Sequence, residues 1–121
     1  MSQAGEVHIK ISMALAPLPA DHDRREAVEA KIVAAAKSVM DGAPLMKGPL
    51  AVNLFVVYPP GAAQRKAHDW RITAPTSWDL ARFIIPHLSD IVFTSAGQVA
   101  ELNVRKVYGS RALTTITIAR L

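Results

Sequence analysis

The chain has 121 residues, with fourteen Lys/Arg against ten Asp/Glu, a formal charge of +4, and a hydrophobic half; this is room for one core rather than two, and too apolar for a disordered tail. No apolar stretch approaches the roughly 18 residues of a bilayer span, and residues 1–6 lack the basic and apolar regions of a secretory signal, so a soluble, cytoplasmic protein is expected. The absence of cysteine excludes disulfides, thiolate metal sites and a cysteine nucleophile, and leaves oxygen or imidazole as the only metal ligands.

Val7, Ile9, Ile11 and Met13 alternate with His8, Lys10 and Ser12, the period of two of a half-buried strand over residues 6–14. Pro17 and Pro19 cannot donate to a ladder, so a loop follows. Asp23 and Glu26 have capping-box spacing, and Val28, Ile32, Ala35, Ala36 and Val39 form the apolar stripe of a first helix, which Gly42 and Pro44 end. Residues 50–58, LAVNLFVVY between prolines, read as a central strand. Residues 61–74 show no periodicity and make a basic connection longer than ordinary connectors. A second helix is predicted over residues 78–88, with Thr76 or Ser77 as cap, Leu80, Phe83, Ile84 and Leu88 inward, and a kink or early end at Pro86. Residues 98–108 and 112–119 have strand composition and are expected to pair as an antiparallel hairpin around Gly109-Ser110. The expected fold is therefore a single α+β domain over residues 1–121, in the order β-α-β-α-β-β with a mixed sheet.

Charge is uneven along the chain. Residues 1–46 hold five basic and six acidic side chains, net −1, whereas residues 47–121 hold nine and four, net +5. With an isoelectric point near 9.8, this surplus points to an anionic partner such as nucleic acid. Arg65, Lys66, Arg71 and Arg82 would form one cationic surface with Arg105 and Lys106 nearby, and Trp70 and Trp78 are stacking candidates for exposed bases. For Trp78 the favoured place is the core, with stacking as the alternative.

The element order and the second half of the chain resemble the RusA family of Holliday junction resolvases, crossover junction endodeoxyribonucleases. Pro75 matches the Pro of that family's Lys-Pro-Asp-Leu-Asp-Asn-Leu segment, Asp79 its Asn, Leu80 its Leu, and Arg82 a basic helix position. Leu88 falls on the Leu of the Asp-Ala-Leu that ends the helix, Gln98-Val99 match the later Gln-Val, and Arg105-Lys106 match the basic strand end. The resemblance implies a homodimer acting in DNA recombination and repair. In the family, aspartates hold a divalent metal that activates water for phosphodiester cleavage. Here those positions are Thr76, Trp78 and Ala96, the helix aspartate is Pro86, and Ser95 adjoins Ala96. None of these side chains supplies the carboxylate that Mg²⁺ requires, and the space those carboxylates vacate is the other favoured place for the Trp78 indole.

A divergent RusA-like pseudoenzyme is the resulting reading. It binds branched DNA without efficient cleavage and needs no cofactor. One alternative is an active endonuclease with Mg²⁺ on relocated carboxylates from Asp69, Asp79 and Glu101, for which Asp79 in a first helical turn and Glu101 on a strand also have plain structural roles. Another is a phage or mobile-element protein that has reused the scaffold to bind a resolvase or other host protein. No two of the four histidines have helical metal-pair spacing, and no Gly-x-Ser-x-Gly elbow or phosphate-binding Gly loop occurs.

Overall fold

Alternation of side chains along four strands decides which side of this protein is core. The computed structural model describes residues 5–15, 22–59, 71 and 75–121, with the backbone alone for 22–24. The elements are β1 (Glu6–Ile11), α1 (His22–Met40), β2 (Leu50–Tyr58), α2 (Ser77–Ile84), β3 (Val99–Tyr108) and β4 (Leu113–Arg120), with 3-10 turns at Ile85–Leu88 and Ala96–Gln98. The class and the order β-α-β-α-β-β are those expected.

The strands form one mixed sheet in the order β1-β4-β2-β3, antiparallel at the first two joins and parallel at the last. The expected pairing of the two C-terminal strands with each other is corrected here. They run antiparallel, but β2 lies between them, bonded to both. Gly109 permits this path. Leaving β3, the chain crosses the end of β2, where Gly109 N–H donates to the Tyr58 carbonyl at 3.1 Å. A Cβ at this position would stand 2.6 Å from Val57 Cγ1, so a side chain would push the crossing away.

Ile9 and Ile11, the even-numbered residues of β2, and Ile116 and Ile118 are buried on one face, where α1 packs on β1 and α2 on β3. From α1 come Val28, Ile32, Ala36 and Met40; from α2 come Leu80, Ala81 and Ile84. Val39, expected inward, is 45% exposed, because Leu45 and Ile91 border the end of the helix on the Met40 side. Pro86 ends α2 as expected: the α-helix stops at Ile84 and one 3-10 turn carries the chain to the buried Leu88. His87 in that turn lies 3.4 Å from Glu29 of α1 and edge-on to Phe83, joining the two helices.

Apart from the Tyr58 phenol, Thr114 is the only buried polar side chain among the described residues. Its Oγ1 accepts from Leu15 N–H at 3.0 Å and donates to the Met13 carbonyl at 2.8 Å, while the Tyr58 hydroxyl donates to the Leu15 carbonyl at 3.0 Å. The chain leaving β1 is thus tied to β4 and β2 through backbone groups that no ladder serves.

Thr114→Val keeps the shape but strands a buried N–H and a carbonyl, and is expected to cost about 1–3 kcal/mol in urea unfolding with an unchanged slope. Gly109→Ala is expected to cost about 1–3 kcal/mol by overpacking against Val57, read in the same way.

Candidate nucleic-acid interface

The start of α2 is built on the far ends of β2 and β3. Thr76 caps the helix, its Oγ1 accepting from Asp79 N–H at 3.1 Å, so the hydroxyl at this position serves the helix terminus. Lys106 Nζ donates to the Pro75 carbonyl at 2.6 Å and fixes the approach to α2 against β3. Arg71 N–H donates to the Lys106 carbonyl at 2.8 Å, and its guanidinium lies 4.2 Å from the centre of the Tyr58 ring, a cation–π contact. Burial pushes the Tyr58 phenol up to about 12, with the Arg71 charge pulling the other way. Burial, then the neighbouring Arg71 charge, lowers the Lys106 pKa below the usual lysine value. Tyr58 belongs to no motif, and its signal in the sequence is an aromatic that ends an apolar strand beside a basic connection.

Trp78 is not in the core: it is 73% exposed. It sits two residues, about 200° of helix rotation, from the buried Leu80. Arg82, also exposed, follows Trp78 by four residues and therefore shares its face of α2. An outward indole and an outward guanidinium thus share one face of α2, with the Asp79 carboxylate exposed in the first helical turn, while the half-buried Arg71 lies at the end of β2 and β3, beside Tyr58 and the Lys106 carbonyl.

Other sequence-predicted residues are placed apart. Arg105 and Lys106 do not form the single basic strand end expected of them, because adjacent strand residues point to opposite faces. Lys106 pairs with the buried Val56 on the helix side, whereas Arg105 pairs with the exposed Phe55 on the open side. Glu101 is likewise on the open side, beside Ala51, while α2 and its Asp79 lie across the sheet. Asp79 and Glu101 therefore do not converge, which corrects the proposed relocated set. Asp69, Arg65, Lys66 and Trp70 lie outside the described residues. Among the described residues no three acidic or histidine side chains gather into a metal-binding group.

Nor does the fold bring together Thr76, Trp78 and Ala96. Ala96 belongs to the short turn before β3, where Ser95 Oγ accepts from Gly97 N–H. There the Gln98 side chain accepts from the backbone N–H groups of Thr94 and Ser95 and donates to the Met46 and Gly48 carbonyls. That pins Ala96 near the beginning of β2. Arg71 and Lys106, with the start of α2, stand at the other end of β2 and β3, beside Tyr58. The seven residue steps from Val99 to Lys106 along β3 span about 23 Å. Comparison with protein-family models and with curated proteins found no match.

In Tyr108→Phe the remaining phenol titrates near pH 12 rather than 10, followed by absorbance at 295 nm. Because the folded value is raised, the stabilisation linked to neutral Tyr58 is complete below pH 10 and is lost as pH rises through about 12.

Proposed function

We propose that this chain is a RusA-like protein that binds branched DNA, including four-way junctions, through the outer surface of α2 and the adjoining basic connection, as a homodimer and without efficient cleavage. The exposed Trp78 beside Arg82 carries this reading. An indole that is 73% exposed presents a ring face on which a planar group can stack. A nucleobase does so without sequence preference, and the flanking guanidinium neutralises phosphate. A base at the centre of a junction is more accessible than one inside a duplex, which favours branched over linear substrates. Arg71 supports the same surface, and Arg65, Lys66 and Trp70 are its proposed extension.

Thr76, Trp78 and Ala96, where the resemblance calls for carboxylates, offer a cap hydroxyl, an indole and a methyl. Placement of Asp79 and Glu101 on opposite sides of the sheet speaks against rebuilding the family's hydrolysis from them, so binding is preferred to cutting.

Gel-shift titrations with a labelled four-way junction and a linear duplex of the same sequence test this reading. The junction is expected to bind more tightly, with affinity falling as salt rises. Trp78→Ala is expected to lose about 1–3 kcal/mol of junction binding with no loss of fold, and Arg82→Glu is expected to weaken it and flatten the salt dependence. Equal or negligible affinity for the two DNAs would sink the proposal.

A further inference from the structure

The face of the sheet opposite the helices is uncovered among the described residues; three rows of its side chains cross all four strands, and beyond them a half-buried apolar row of Leu113, Val57 and Val107 crosses β4, β2 and β3. Strand register sets one row as Glu6, Ala119, Ala51 and Glu101, the next as His8, Thr117, Asn53 and Asn103, and the third as Lys10, Thr115, Phe55 and Arg105. The first row is acidic at both ends with methyl groups between; the third is basic at both ends with a phenyl ring and a threonine between. Apart from His8, whose ring lies 3.0 Å from the Glu6 carboxylate, the two acids and two bases cancel, on a chain whose overall formal charge is +4.

From this pattern we infer that the open sheet face packs against the same face of a second copy, about a two-fold axis running along the middle row. That operation lays each strand over its own copy and exchanges the outer rows. Lys10 then meets the partner's Glu6 and Arg105 meets the partner's Glu101. Phe55, 36% exposed, meets the partner's Ala51, beside a shallow groove that Ala51, Asn53, Glu101 and Asn103 line. Large meets small, and positive meets negative. A two-fold axis parallel to the strands would instead lay Lys10 on Arg105 and Glu6 on Glu101, like on like, so the charges select one orientation. Sheets stacked face to face keep their strands within about 30° of one another, which preserves these pairings. A polyanion is the poorer occupant, since a face without net charge offers phosphate nothing.

This inference rests on the homodimer of the reading above and leaves both copies of α2 facing outward, so DNA binding is measured separately by the junction titrations. Sedimentation equilibrium of the full chain over a wide concentration range tests it. Arg105→Glu puts like charges together twice per dimer and is expected to weaken association about tenfold. Glu101→Arg is expected to do the same, and the double variant Arg105→Glu with Glu101→Arg is expected to restore association to within about threefold of the parent, because it swaps each pair without removing it. That recovery also shows that the single variants had not simply lost their fold. A dimer indifferent to both single exchanges overturns the interface while leaving a homodimer. A double variant no better than the singles overturns the orientation. A chain that stays monomeric throughout overturns both the interface and the homodimer, and loss of oligonucleotide binding in an Arg105→Glu variant that stays dimeric would assign the face to nucleic acid instead.

Discussion

Insertion of β4 between β1 and β2 is the constraint on which the rest of this structure depends. No ladder joins β1 to β2, and β4 bonds to both over most of its length. Its Thr114 is the buried group that receives the chain leaving β1, and Tyr58 of β2 completes the network from the other side. The interior is therefore closed only when the C-terminal segment is in place. The same insertion keeps β3 at the edge of the sheet, where α2 packs on one face and the other face stays open.

That division into a covered and an open face separates charges that are close together in sequence. Arg105 and Lys106 are consecutive, yet one is exposed beside Phe55 and the other is drawn to the Pro75 carbonyl. Asp79 and Glu101 are kept apart by the thickness of the sheet. In the proposed reading, the helix side meets DNA through α2 and the open side meets a second copy. The two surfaces differ as their partners would require: an outward indole with basic side chains on one, and balanced charges around a single phenyl ring on the other.

Two residues that carry the resemblance to the resolvases, and Thr76 where it calls for an aspartate, are occupied with the backbone. Gln98 makes four hydrogen bonds and fastens the turn before β3 to the segment before β2. Lys106 fastens the end of β3 to the start of α2. Thr76 closes the helix terminus. These contacts serve folding whether or not a phosphodiester is cut, so the motif order can accompany this fold without the chemistry of the family. A fold held by such contacts is free to carry Trp78 where the resemblance calls for an aspartate, because nothing in the core depends on that side chain.

Local physical chemistry made the elements legible in the sequence. Alternation in residues 6–14, the apolar run of residues 50–58, the cap at Thr76 and the break at Pro86 each depend on near neighbours, and each element lies close to where those signals put it. Strand order was not legible, because the short turn at Gly109-Ser110 suits a hairpin, and only the existing β2–β4 ladder and the contact with Val57 send the chain across instead. The candidate site was half legible. Residue types named the indole and the cations, but which of them share a surface depends on strand parity, on the rotation of α2 relative to its buried stripe, and on which ends of β2 and β3 the turns occupy. Those are distances between segments far apart in the chain, and only the packed sheet determines them.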